Sequence, residues 1–303
     1  MNQTKNSENS KMIKRKFHII LVDSIDKLKS FAQNILKNDS IIGIDVESDR
    51  NHRYGHNLSL IQVGTKKSQY LLDPLSLSTS KEEYDANFSA VLKNRSLKKL
   101  FYAGVEDIQV LKREFSGQIT NVYDVQTTHS LAIHGTLNHM VGLDKLIKKE
   151  FNHQLPPHVS KLQRTDWSKR PLTRDMQEYA ALDVLYLIDL YEKYIKILQT
   201  QKDYPYYQRY FEALELVEPV NEEIAEIVKF MKIYNFDTLS PHDLFLVYRI
   251  HLFRMKVAKK INRPSHFILS KQPLDRFRLR RLAGNIDERR IFFFQTIRIH
   301  IGH

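Results

Sequence analysis

The chain has 303 residues, of which 42% are hydrophobic and 27% charged, with no cysteine and a formal net charge of +12. Its length exceeds one ordinary core and predicts two or three domains, while the missing cysteine excludes disulfides and thiolate metal sites. No apolar run reaches the ~20 residues of a membrane span, and none follows the polar start as a secretory signal would, so a soluble, cytoplasmic protein with no membrane partner is expected.

Residues 1–16 hold five Lys/Arg and one Glu among Asn and Ser, with few apolar residues. This is the composition of a disordered basic tail. From residue 17, short β-branched runs predict strands at 17–22, 41–46, 58–63, 70–72 and 99–102, with helices at about 25–37 and 82–93 between them. Beyond 102, helical periodicity dominates, at about 105–115, 125–133, 142–150, 173–199, 205–217 and 221–234. Strands followed by strand–helix alternation predict a mixed α/β core over 17–200, and 201–239 reads as a helical connector.

A last module spans 240–303. Ser240 can cap a helix whose first position suits Pro241, with Asp243 in the first turn. Its apolar stripe is Leu244, Tyr248, Leu252, Met255 and Ala258, with Arg249, Lys256 and Lys260 on the other side. Asn262-Arg263-Pro264 ends the helix. A second basic stretch carries Arg276, Arg278, Arg280 and Arg281. Residues 242–303 hold fourteen Lys/Arg against four acids. A basic module beside a near-neutral body suits an enzyme that grips a polyanion, although basic surfaces also serve solubility.

Three acidic segments stand out. In Ile41-Ile42-Gly43-Ile44-Asp45-Val46-Glu47, alternation puts Asp45 and Glu47 on one strand face and Ile44 and Val46 on the other. Two carboxylates there repel each other and resist burial, unless the strand simply runs out into solvent. In the helix predicted at 173–199, Asp183 shares an apolar side with Met176, Ala180, Leu187, Leu190 and Tyr194, and lies four residues beyond Tyr179. An acid in such a stripe needs compensation, from a Lys or Arg partner or from a divalent cation. In Lys99–Ile108, a strand passes through a small-residue turn into a helix, which places Asp107 in the first helical turn. Such an acid can be a cap and nothing more. Together, carboxylates without Cys or paired His suit hard cations such as Mg²⁺ or Mn²⁺, two of which can serve phosphodiester hydrolysis.

In this order and spacing, four stretches resemble the DEDD exonuclease superfamily, and most closely its ribonuclease D branch. They are Asp45-Val46-Glu47, the 102–111 segment with Asp107, Asp166-Trp167-Ser168-Lys169-Arg170-Pro171-Leu172-Thr173, and Tyr179-Ala180-Ala181-Leu182-Asp183. Leu60-Ile61-Gln62 and Gly142-Leu143-Asp144-Lys145-Leu146 match as well. Tyr179 marks the tyrosine-bearing (DEDDy) class.

The resemblance implies a ribonuclease H-like fold, a mixed sheet flanked by helices, followed by a small all-α domain similar to the helicase-and-RNase-D C-terminal (HRDC) domain. It implies a 3′→5′ exoribonuclease that acts on structured RNA such as tRNA precursors. Two divalent cations, Mg²⁺ or Mn²⁺, would sit one on Asp45, Glu47 and Asp183 and the other on Asp45 and Asp107, with Tyr179 orienting the attacking water. A DNA 3′ exonuclease is the alternative enzyme, and an inactive nucleic-acid-binding module the alternative from another class. The presence of all four acids and the tyrosine counts against the latter.

This chain departs from the family at Tyr102, where His is common, at Val46, where Thr is common, and at Ser160-Lys161, where the lysine is shifted by one. Trp167 is a candidate for base stacking or for packing. Lys169 and Arg170 are candidates for phosphate contact, as are Arg249, Lys256, Lys260, Arg278 and Arg281 in the basic module. Asp124 and Asp166 read as helix caps or as supports of the site.

Overall fold

The computed structural model describes residues 18–49, 57–115, 117–153, 159–219 and 241–268. The chain divides into two compact units, one of Met1–Glu47 with Leu58–Pro219, the other of Ser48–Asn57 with Val220–His303.

Six strands build the sheet: β1 (Ile19–Val22), β2 (Ile41–Asp49), β3 (Asn57–Gly64), β4 (Gln69–Leu72), β5 (Lys98–Phe101) and β6 (Val122–Asp124). Their order is β1-β4-β3-β2-β5-β6. The β1–β4, β2–β5 and β5–β6 pairs are parallel and β3–β4 is antiparallel. The sheet is therefore mixed, as the sequence led one to expect.

Helices cover both faces. In α1 (Ile25–Asn38), Leu28, Phe31, Ala32 and Ile35 recur at helical spacing and are buried. Phe31 meets Tyr70 of β4 edge-on at 4.9 Å and lies 6.3 Å from Phe88 of α3 (Lys81–Lys93). Leu71 points to the opposite face, since strand side chains alternate. There it packs with Leu60, Trp167 and the Met176–Ala180 stretch of α8 (Arg174–Leu185). Between α3 and α8 lie α4 (Val105–Glu114), α5 (Val125–His134), α6 (Leu143–Phe151) and α7 (Val159–Leu162), after a short α2 (Pro74–Leu77).

The structure differs from the sequence reading in several places. β6 was not anticipated, because three residues are too few to show alternation. The helix expected at 173–199 is two helices, α8 and α9 (Leu187–Gln199), joined at Tyr186. No Pro or Gly marks that break. Tyr186 stacks on Phe151 at 4.3 Å, and its hydroxyl shares a 2.7 Å hydrogen bond with His153 Nδ1. Of the 201–239 connector, α10 (Tyr204–Leu214) packs on the sheet through Phe211, 5.0 Å from Tyr123 of β6. The helix expected at 221–234 lies outside the described residues.

In the second unit, α11 (Pro241–Lys260) and α12 (Ser265–Ile268) are described. The buried line of α11 is His251, Met255 and Ala258, whereas Tyr248 and Leu252 are exposed. The expected stripe is thus rotated: His251, four residues before Met255, takes the inward place assigned to its neighbours. Arg249, Lys256 and Lys260 are exposed, as expected.

Candidate active site

The central strand β2 carries Asp45 and Glu47 on one face, while Ile42, Ile44 and Val46 are buried on the other. Gly43 shares the acidic face, and this is what lets the junction of α8 and α9 come close. A Cβ at Gly43 would stand 3.0 Å from Leu187 of α9 and 3.4 Å from the Val184 carbonyl oxygen of α8, and one at Gly64 of β3 would stand 2.5 Å from that same oxygen. Val184 neighbours Asp183. The two glycines therefore let the helix lie on the strands closely enough to deliver its carboxylate. Sequence reading gave them no weight, since neither sits in a turn, and a glycine inside a strand was the available signal.

The outcome is a cluster in which ligand oxygens of Asp45, Glu47 and Asp183 all lie within 4.8 Å of one another, each side chain partly buried. Burial, and then the neighbouring Asp183, push Asp45 well above the ordinary carboxylate range, against a hydrogen bond from the Val46 N–H. Burial and the charge of Asp107 raise Asp183 to about 7, against the hydrogen bond it accepts from Tyr179. Three oxygen donors under mutual repulsion fit a hard divalent cation, which would offset that cost.

Asp107 stands outside the three-residue cluster yet close enough to act on Asp183. Its turn is held by the buried Asp124, which accepts the Gly104 N–H at 2.9 Å and caps α5 through the Thr127 N–H at 2.8 Å. Asp124 is thus both a cap and a support. Ala103, in the same turn, adopts a left-handed φ of 54°, a strained conformation for a residue with a Cβ.

Tyr179 is buried on α8, one turn before Asp183. Its hydroxyl is hydrogen-bonded to Asp183 and to Gln163. Burial, then the charges of Asp183, Glu47 and Asp45, push this phenol far above its ordinary value. Gln163 was not anticipated; its place three residues before Asp166 was the only signal.

Two expected nucleic-acid contacts are corrected. Trp167 is 1% exposed and packs 5.8 Å from the Tyr179 ring, so it is a core residue and has no face open for stacking. Arg170 spends every donor inside the protein. Its Nε and one Nη2 proton go to Asp73 at 2.7 Å each, the other to Ser59 O at 2.7 Å, and Nη1 serves Trp167 O and Lys169 O at 2.8 Å each. A guanidinium has five N–H donors, and all five are used. Lys169 is exposed. Asp166 caps its own turn, accepting the Ser168 N–H at 3.1 Å. Arg278 and Arg281 lie outside the described residues.

The glycine contact gives a direct test. Gly64→Ala should destabilise the fold by about 1–3 kcal/mol through overpacking, measured by urea unfolding. It should also weaken divalent-cation binding by roughly 10- to 100-fold, since a displaced support costs that much in metal affinity, measured by calorimetric titration. An unchanged midpoint together with unchanged affinity would show that α8 does not depend on this contact.

Among known proteins, a family model of 3′–5′ exonucleases matches residues 19–199. Ribonuclease D of Bartonella henselae is 27% identical over 261 residues, covering 82% of this chain and 60% of the relative. The chain therefore spans only about three-fifths of that relative's length. Two solved structures share the fold. The catalytic core of RRP6 from Trypanosoma brucei has a TM-score of 0.67 at 19% identity, covering 84% of this chain and 68% of that one. Escherichia coli RNase D, an exoribonuclease involved in structured RNA processing, has a TM-score of 0.64 at 23% identity, covering 84% and 64%.

Proposed function

Because this chain belongs to the 3′–5′ exonuclease family, in its ribonuclease D branch, we propose that it hydrolyses phosphodiester bonds one nucleotide at a time from the 3′ ends of RNA, with Mg²⁺ or Mn²⁺ as cofactor. The observation that carries this reading is the convergence of Asp45, Glu47 and Asp183 within 4.8 Å, with the Tyr179 hydroxyl bonded to one of them. That family uses divalent metal, and an acidic oxygen cluster is the matching donor set. RNA is favoured as substrate because ribonuclease D of Escherichia coli processes structured RNA.

Each residue has a definite task. Asp45, Glu47 and Asp183 would hold one divalent cation, and Asp107 with Asp45 would hold a second. Cations bound there would lower the pKa of water and neutralise charge on the phosphate. The Tyr179 hydroxyl, fixed between Asp183 and Gln163, orients the water that attacks phosphorus. The exposed Arg249, Lys256 and Lys260 of α11, within the basic 240–303 module, bind phosphates along the strand and supply affinity without sequence preference.

The test is digestion of RNA and DNA of matched sequence, labelled at either end, with Mg²⁺, with Mn²⁺ or with excess EDTA. RNA labelled at its 5′ end should shorten through a continuous ladder, and EDTA should stop the reaction. Full activity in EDTA, or internal cuts as first products, would overturn the proposal. Faster digestion of DNA would replace the substrate and leave the mechanism.

A further inference from the structure

In the sequence Arg170 is a candidate for phosphate contact, and nothing there singles out Asp73. Their geometry gives them another role. Asp73 is buried and follows β4; it caps α2 by accepting the Leu75 N–H at 3.0 Å and the Ser76 hydroxyl at 2.9 Å. The other two bonds to its carboxylate come from Arg170. Burial alone would raise the Asp73 carboxyl, but the guanidinium and these hydrogen bonds hold it below the ordinary range. The remaining Arg170 donors bind Ser59 O on β3 and the carbonyls of Trp167 and Lys169. One side chain thus ties the loop before α8 to a strand and to the end of β4.

That loop carries Trp167, whose indole N–H has no hydrogen-bond partner among the described residues. The ring is therefore held by packing, and its main chain by Arg170. It fills the space between Leu60 and Leu71 of the sheet and Met176, Tyr179 and Ala180 of α8. The Tyr179 ring rests on it at 5.8 Å with 37° between the planes.

We propose that the Arg170–Asp73 fork is a positioning pair for the reaction, setting the Tyr179 hydroxyl through Trp167. The inference rests on the proposed function, since it assigns a part in that chemistry. Neither residue touches the substrate. Lysine at 170 would keep the charge but offer three donors on a single nitrogen, too few and too short for five acceptors spread around a planar fork. The loop would relax, and a shift of about 1 Å in a positioning group costs up to roughly 100-fold in rate.

Arg170→Lys should therefore lower kcat by about 10- to 100-fold while KM stays within roughly threefold. Trp167 is the sole tryptophan, so its fluorescence reports on this loop alone, and its emission should move to the red and become more accessible to acrylamide. The decisive arm is a double-mutant cycle. In a Tyr179→Phe background, Arg170→Lys should cost less than about threefold, because the hydroxyl that it positions is already gone.

Independent, multiplying effects would overturn the proposal, as would wild-type kcat in Arg170→Lys. If Arg170→Lys does not fold, Asp73→Asn breaks the fork from the other end and goes through the same cycle. If neither variant folds, the pair is a folding device and the proposal falls. A wild-type protein without cation-dependent hydrolysis would instead sink the functional reading, and its own turnover would reveal that.

Discussion

Asp183→Asn should remove hydrolysis, by at least about 1,000-fold, and should stabilise the protein in the presence of a chelator. The first effect follows from the loss of a proposed cation ligand, which would withdraw several kcal/mol of charge stabilisation, and each 1.36 kcal/mol is tenfold in rate. The second follows from burial and repulsion. Burial raises the Asp183 carboxyl to about 7 in the fold, against about 3.9 for an ordinary aspartate. A raised carboxyl means that the native state binds more protons than the unfolded chain between those two values, so stability falls as pH rises through that window. Asparagine cannot ionise and escapes this loss. Melting temperatures in EDTA at pH 5 and pH 8 should therefore diverge, with the variant above the wild type at pH 8 and the two close at pH 5. Divalent cation should raise the wild type at pH 8 and leave the variant largely unmoved. A variant that melts below the wild type at pH 8 in EDTA would mean that Asp183 is compensated within the protein, and the cation assignment would fail.

The second large effect belongs to Tyr179→Phe. Phenylalanine keeps the ring against Trp167 and the neighbouring apolar side chains of α8, so the fold and the carboxylate cluster should persist. Only the hydroxyl between Asp183 and Gln163 is lost. Groups that position or protonate a reacting water contribute about 100- to 10,000-fold, and kcat should fall within that range. RNA affinity, measured by fluorescence anisotropy in Ca²⁺ to suppress turnover, should change little. Wild-type turnover in this variant would reduce Tyr179 to a packing residue.

Much of this site is legible in the sequence because it is written in periodicities. Alternation alone puts Asp45 and Glu47 on one face of β2, and four-residue spacing stacks Tyr179 over Asp183. Periodicity names a face, but it does not name what meets that face. A glycine inside a strand hints at a close approach but does not say that a helix lands on Gly43 and Gly64, and nothing in the order of residues says that Arg170 finds Asp73 nearly a hundred positions away. A guanidinium beside a lysine reads as a surface cation, and only three-dimensional closure turns it inward. Trp167 follows the same rule, for a large aromatic next to basic residues looks like a stacking platform until its neighbours are known. The break at Tyr186 escaped for a related reason. Both α8 and α9 bury apolar side chains toward the sheet, so the stripe runs through the interruption unchanged.

The close landing of α8 on β2 and β3 also bears on when the protein becomes active. Asp45 and Glu47 leave the ribosome early, Asp107 later and Asp183 later still, and the first two meet the last only when α8 has settled onto the glycine-lined strands. Such long-range closure is slow compared with local helix formation, and synthesis proceeds from the N-terminus. Until that docking, the growing chain holds only part of the carboxylate cluster, so the proposed cation site is incomplete.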